Sequence, residues 1–208
     1  MARKKKRLSA SERRAQLIEV GRKVFAERGY EATSVEELAS RAGISKPVLY
    51  EHFGGKEGLY AVIVDREIEA VVREIEAAIA TGTPRERTER AVAAFLAYVQ
   101  DQPEGFAVLC HDSPVAVSGG GMSSLLSVVG ERVGDVFTEM FRAAGYKPKL
   151  APMYAQALIG MVTFVGQWWT ETRSPPIKQV AGHLSALAWM GLRHLPKKPD
   201  PVSPKRRE

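Results

Sequence analysis

The sequence predicts an all-α protein of about nine helices, a three-helix head containing a helix-turn-helix followed by a longer helical body. Three observations carry that expectation. Hydroxyl residues followed three places later by Glu stand ahead of apolar-periodic segments at Ser9, Thr33, Ser34 and Thr83, which is the signature of an N-cap closed by a capping box. From Lys56 onward apolar residues return at three- and four-residue steps, with no two-residue alternation of the strand kind. Gly43, Gly54-Gly55, Gly82, Gly145 and Ser174-Pro175-Pro176 fall between these segments, where they end helices.

The first helix opens at Ser9, paired with Glu12. The arm before it, Arg3-Lys4-Lys5-Lys6-Arg7, has no apolar residue to bury and is expected to stay disordered until something anionic orders it. The second helix begins at Thr33 or Ser34, since Thr33 with Glu36 and Ser34 with Glu37 both fit the box. Val35, Leu38 and Ala39 share one face of it. Ala39 is small enough to let the next helix approach, and Gly43 can take the left-handed conformation of a sharp turn. Ile44 is expected beneath that turn. Ser45 is a good N-cap for the third helix, and Pro47 in its first turn removes no intrahelical bond. Val48, Leu49 and Phe53 form the buried side, leaving Lys46, Tyr50, Glu51 and His52 outside. Gly54-Gly55 ends the helix after about two turns. A pair this compact can place its second helix in a major groove, which makes DNA the leading partner.

In the body, Val64, Ile68, Val71, Val72, Ile75 and Ile79 form an apolar stripe on a helix of about 25 residues, ended by Thr81-Gly82. Thr83 caps the next helix, with Pro84 at its first position and Val92, Phe95, Leu96 and Val99 inward. A short helix over 104–112 stops at Ser113-Pro114, and 114–121, with three consecutive glycines, is the expected mobile loop. A helix over 122–144 follows, closed by Gly145. The last two helices, about 150–173 and 175–195, are expected to form an antiparallel pair across Ser174-Pro175-Pro176.

Residues 43–60, Gly-Ile-Ser-Lys-Pro-Val-Leu-Tyr-Glu-His-Phe-Gly-Gly-Lys-Glu-Gly-Leu-Tyr, together with Ala26-Glu27-Arg28-Gly29-Tyr30 and Thr33, resemble the signature of TetR-type transcriptional regulators. The resemblance covers roughly residues 11–60; the rest matches by architecture. It implies that Thr33, Ser45, Tyr50, His52 and Lys56 hold phosphates while Lys46, Pro47 and Glu51 lie against base edges, with Val48 near a thymine methyl. Glu51 departs from the usual neutral or basic residue, which favours acceptance from a cytosine amino group over a phosphate contact. The domain plan is a basic arm at 1–10, a DNA-binding head at 11–55, a ligand-binding and dimerisation body at 56–195 and a basic tail at 196–208.

Composition agrees. The chain has 208 residues, 45% of them apolar, and a net charge of +6. Residues 1–14 hold seven Lys/Arg against one Glu and residues 197–208 hold five against two acids, so the body between is mildly acidic. Basic ends suit phosphate contact, with Arg3, Lys4 and Lys5 expected to neutralise backbone rather than read bases. No apolar run is long enough for a membrane helix and no apolar signal region follows the basic start, so a cytoplasmic location is expected. Cys110 is the single cysteine, which excludes an internal disulfide or a cysteine metal cluster.

An enzyme finds little support. Cys110, His111 and Asp112 are consecutive, so on a helix their side chains diverge by about 100° per residue and cannot form a dyad. His183 and His194 stand roughly 16 Å apart on a helix, too far to share a metal. Gly119-Gly120-Gly121 lacks the Lys-Ser/Thr of a phosphate loop. No cofactor is expected. A sequence-indifferent architectural DNA binder is the other alternative; it would use the basic ends and need no pocket.

The body is expected to serve two ends. Phe95, Tyr98, Phe106, Met122, Leu126, Met140, Met161, Phe164 and Trp168 form an aromatic and methionine-rich set suited to a plastic apolar pocket, with His111 as a polar group to orient a ligand. The last two helices carry apolar residues on more than one face, so one face should meet a second copy of the chain. Ala157, Gly160, Trp169, Leu184, Leu187, Ala188 and Gly191 are the expected interface, with the small residues allowing close approach. The resemblance implies a homodimer closed by a four-helix bundle, bound to an inverted-repeat operator as a repressor and released by a small hydrophobic ligand.

Overall fold

A computed structural model of the chain describes residues 8–111 and 121–196. Within those residues it contains α1 (Ala10–Arg28), α2 (Val35–Ala42), α3 (Lys46–Phe53), α4 (Lys56–Ile79), α5 (Pro84–Asp101), α6 (Pro103–Cys110), α7 (Gly121–Ala143), α8 (Ala151–Thr172) and α9 (Ile177–Arg193), with a 3₁₀ turn at Pro148–Leu150. No strand occurs among the described residues. The basic arm at 1–7, residues 112–120 and the tail from 197, and with them Arg3, Lys4, Lys5, Asp112 and the expected loop at 114–120, lie outside the described residues.

Caps set the starts as their chemistry requires. Ser9 accepts from the Glu12 amide at 3.2 Å while the Glu12 carboxylate accepts from the Ser9 amide at 2.8 Å, a reciprocal box. That pairing lowers the Glu12 pKa, through the backbone bond first and then the hydroxyl. Thr83 and Glu86 repeat the arrangement at the start of α5. For α2 the choice falls to Ser34, whose hydroxyl accepts from Glu37. Gly43 ends α2 at φ 64°, and its amide reaches back to the carbonyls of the last turn, so the chain reverses without a Cβ penalty.

One core joins head to body. Leu38 and Leu49 from the helix-turn-helix, Phe25 and Tyr30 from α1 and its turn, and Leu59, Tyr60 and Ile63 from α4 belong to the same buried cluster as Phe95, Leu96, Val99 and Leu109 further along. Phe25, Tyr30 and Tyr60 meet ring against ring, with Tyr60 5.0 Å and edge-on to both others. The 24-residue α4 is therefore gripped at its start by the head and along its length by α5 and α7.

The C-terminal helices differ from expectation. Instead of resting chiefly on each other, α8 packs along α7 and α9 packs along α5, and the two touch only over a short stretch. The reason is the phase of their apolar residues. Val180, Leu184 and Ala188 turn toward the body, and Ala151 and Ala155 join Phe137 and Phe141 of α7 in a second small core.

Candidate nucleic-acid interface and cavity

The second helix of the helix-turn-helix presents one side to solvent. Lys46, Pro47, Tyr50 and Glu51 are exposed, while Leu49 is fully buried and Val48 half-buried. Ser45 occupies the N-cap position in extended conformation, but its side chain makes no cap bond and stays available. Glu36 of α2 forms an ion pair with Lys46 and its pKa is lowered by that contact. A phosphate or base edge must therefore compete with Glu36 for Lys46. Arg41 is held in the same way by Glu27 at 2.6 Å and Glu37 at 3.3 Å, so much of the positive charge on this face is internally paired.

Of the expected phosphate contacts, Thr33 is corrected, while Lys56 uses one of its three N–H groups inside the protein. Thr33 is 2% exposed, and its hydroxyl donates to the Gly29 carbonyl at 2.7 Å, so it locks the turn before α2 and is closed to phosphate. Lys56 is half-buried: its ammonium lies 4.0 Å over the Tyr30 ring and donates to the Tyr30 carbonyl at 3.0 Å. It pins α4 to the α1–α2 turn. Tyr30 in turn donates to Glu57 at 3.2 Å, and burial with that carboxylate pushes its phenol up to about 12. His52 is half-buried beside Phe53.

Behind the head lies a charged hub that sequence reasoning missed. Arg22 of α1 reaches Glu67 of α4 at 3.4 Å, Gln102 at 3.1 Å and Glu104 of α6 at 3.2 Å. Glu67 is buried and accepts from the Tyr98 hydroxyl at 2.6 Å. Burial and the neighbouring carboxylate both raise the Tyr98 pKa. Gly105 is required beside it: a Cβ there would fall on Glu67 Oε2, 2.6 Å from Cδ and 2.7 Å from the Tyr98 hydroxyl. The visible signal was Glu67 itself, an acid on the apolar stripe of α4 between Val64 and Ile68.

An apolar cavity of about 90 Å³ opens between α4, α5, α7 and α8, lined among others by Ile75, Ile79, Val92, Phe95, Leu125, Val129, Val133, Phe137, Met140 and Val162. Of the ten residues expected to line a pocket, only Phe95 and Met140 face it. Tyr98 points into the Arg22 hub, and Phe106 is sealed in the core edge-on to Phe95. His111 turns to α1, with Nε2 3.2 Å from the Ala26 carbonyl. Met122, Leu126 and Met161 are half-buried outside the cavity wall. Phe164 and Trp168 stand at the outer surface of α8, 72% and 47% exposed. The cavity wall is mostly Val, Leu and Ile rather than aromatic and sulfur side chains, and such residues look the same in sequence as ordinary core.

The outer face of α8 is a stripe of Met153, Ala157, Gly160, Phe164 and Trp168, and Leu187, Met190 and Gly191 stand on the outer side of α9. Three residues expected at an interface turn inward instead. Trp169 donates its indole N–H to the Pro175 carbonyl at 2.8 Å, Leu184 is buried, and Ala188 lines the cavity. One residue of phase is about 100° on a helix, enough to exchange Trp168 for Trp169.

Among the described residues no helix is long and apolar enough to cross a membrane, and no group of three or more His, Cys, Asp or Glu could hold a metal. The Cys110 thiol is pushed up to about 12 by burial, which suppresses its reactivity.

Comparison with known proteins agrees with this geometry. Residues 17–63 match the model of bacterial regulatory proteins of the tetR family, and residues 74–203 that of the tetracyclin repressor-like C-terminal domain. The transcriptional activator FasR of Mycolicibacterium smegmatis is 33% identical over 193 residues, covering 91% of this chain and 87% of that protein. A TetR-like regulator from Rhodococcus sp. RHA1 superposes with a TM-score of 0.71 at 27% identity, over 90% of this chain and all of that one. AibR, solved with isovaleryl coenzyme A and operator DNA, shares the fold at 18% identity and a TM-score of 0.70, over 85% of this chain and 97% of that one. With both parts of the chain matched by the family's models and a relative aligned over nearly its whole length, the chain belongs to the TetR family of DNA-binding transcriptional regulators.

Proposed function

We propose that the protein acts in the cytoplasm as a homodimer on an inverted-repeat operator, with one α3 per half-site, and that a small, largely apolar molecule in the cavity controls its hold on DNA. The observation that carries this reading is the outward side of α3. Lys46, Pro47, Tyr50 and Glu51 are exposed together on an eight-residue helix, backed by a buried Leu49. So few side chains give one head little discrimination, and two heads spaced about 34–36 Å apart supply the rest. In this arrangement Ser45, Tyr50 and His52 hold backbone, the arm residues Arg3, Lys4 and Lys5 neutralise phosphate, and Lys46 and Glu51 meet base edges once Lys46 has left Glu36.

The second copy is supported by the surface. Five of the eight exposed large hydrophobics among the described residues, Met153, Phe164, Trp168, Leu187 and Met190, lie on α8 and α9. A patch of that kind calls for a cover, and a two-fold axis lets one patch cover itself.

Ligand control would run along α4. Ile75 and Ile79 border the cavity at one end of this helix, and Lys56 is pinned to the head at the other. A molecule that displaces the far end changes the spacing of two heads, provided it binds the two spacings with different affinity. Blocking a promoter is the simplest outcome of occupancy, and loss of DNA on ligand binding then induces transcription. The FasR relative, by contrast, is named a transcriptional activator.

Sequencing DNA selected from a random pool by the full-length chain tests the reading. An inverted repeat with half-sites one helical turn apart is the expected product. Enrichment of no motif, or of a single half-site by a protein that sediments as a monomer at micromolar concentration, would overturn it.

A further inference from the structure

Arg22 of α1 ties the head to several other elements at once. Its Nη1 donates to Glu67 Oε1 of α4 at 3.4 Å and to Gln102 Oε1, at the junction of α5 and α6, at 3.1 Å. Its Nη2 donates to Glu104 Oε2 of α6 at 3.2 Å. The second oxygen of Glu67 accepts from the Tyr98 hydroxyl of α5. The Arg22 and Glu67 side chains are only 20% and 10% exposed. One turn further along α1, the Ala26 carbonyl meets His111 Nε2 at 3.2 Å, so α1 is fastened near both ends of α6.

This fastening differs in kind from the apolar packing around it. Ile18, Val24 and Phe25 of α1 join the shared core, but apolar burial is non-directional and leaves the helix free to slide or turn on its neighbours. A guanidinium whose rigid fork of donors meets three acceptors accepts one register and one rotation. A largely buried ion pair gains little over apolar side chains of the same volume, and its best-attested use is to specify register.

Register matters at the DNA. Two heads read groove faces about 34–36 Å apart, and one base pair more or fewer displaces a half-site by about 3.4 Å and about a tenth of a turn. A head that cannot slide or turn on its body cannot follow that displacement.

We propose that the Arg22 hub determines half-site spacing: by joining head and body into one rigid piece, it makes the dimer reject inverted repeats whose half-sites stand one base pair too far apart or too close. Arg22 is a positioning residue in this role, acting through the placement of α3. The inference rests on the homodimer and inverted-repeat reading above.

Fluorescence anisotropy of the full chain on its selected operator, and on the same operator with one base pair added or removed between the half-sites, tests it. The parent should bind the respaced operators about tenfold or more weakly than the selected one. Arg22→Met combined with Glu67→Gln removes the ion pair, strands no buried charge and still offers Tyr98 an acceptor. It should bring that ratio below about threefold by binding the respaced operators more tightly, a gain that a merely destabilising change does not give. Arg22→Lys, which keeps the charge of the pair but not the fork, should retain part of the preference. Glu104→Ala, at a half-buried position, cuts the tie to α6 alone and should also lower the ratio. If the double variant, or Glu104→Ala where the double variant fails to fold, keeps the parent's ratio, the hub does not set the spacing, while the parent's own preference leaves the two-head reading intact. If the parent binds all three operators alike, or selects no inverted repeat, that reading fails and the hub assignment with it.

Discussion

Replacing Gly105 by Ala tests whether the Arg22–Glu67 hub holds head and body together. In an ordinary helix the change would stabilise by about 1 kcal/mol, because glycine is the poorer helix former. Here the new methyl would land on Glu67 Oε2, within 2.7 Å of the Tyr98 hydroxyl as well. A free carboxylate would swing aside at little cost, but this one is buried, held by Tyr98 at 2.6 Å and faced by Arg22 at 3.4 Å. Moving it breaks a charge-assisted bond and opens a largely buried ion pair, a loss of about 3–5 kcal/mol. The net expectation is a destabilisation of about 2–4 kcal/mol once the helix propensity gain is set against it. Urea unfolding followed by helical circular dichroism, at one fixed protomer concentration, measures it. The same substitution made in a background carrying both Glu67→Ala and Tyr98→Phe should be neutral or slightly stabilising, since both groups it collides with are gone. Equal losses in both backgrounds, or no loss in the parent, would refute the claim that steric exclusion protects the hub.

Other outcomes follow from the same structure. Phe164→Glu, placed at a 72% exposed position, should leave the subunit folded but shift sedimentation from dimer to monomer at micromolar concentration and take operator binding with it. Glu36→Ala should tighten DNA binding by freeing Lys46, whereas Lys46→Ala should weaken it and lower the salt slope by about one counterion; matching effects of the two in filter binding would speak against the masking pair. Cys110, with its thiol at about 12, should alkylate at pH 8 roughly a thousandfold more slowly than an ordinary thiol until urea exposes it. The sign for stability follows from the same shift. The folded thiol keeps its proton longer than the unfolded one, so its contribution is full below about pH 9 and is lost as pH rises toward 12, and Cys110→Ala should flatten that alkaline decline in a urea titration.

Several elements were legible because their causes are local. Ser9 with Glu12 and Thr83 with Glu86 close capping boxes between residues three apart, and Gly43 turns where only its own backbone matters. These need no knowledge of what packs nearby. Thr33 shows where local reasoning stops: two overlapping boxes were open to α2, and burial of Thr33 against the Gly29 carbonyl decided for Ser34.

The sites divide along the same line. Sequence alone determined the helical class, the helix-turn-helix and the outward side of α3, because helix periodicity and capping are written at separations of three or four residues. Tertiary structure decided that Lys56 is a pin, that Tyr98 serves Glu67, that Trp168 and Trp169 face opposite tasks, and that Arg87 borders an apolar cavity. Each depends on a neighbour from another helix, tens of residues away, and on a rotation about the helix axis finer than the apolar pattern resolves. A broad apolar face says that a side chain is buried, whereas only the packing of α4, α5, α7 and α8 around an unfilled space says against what.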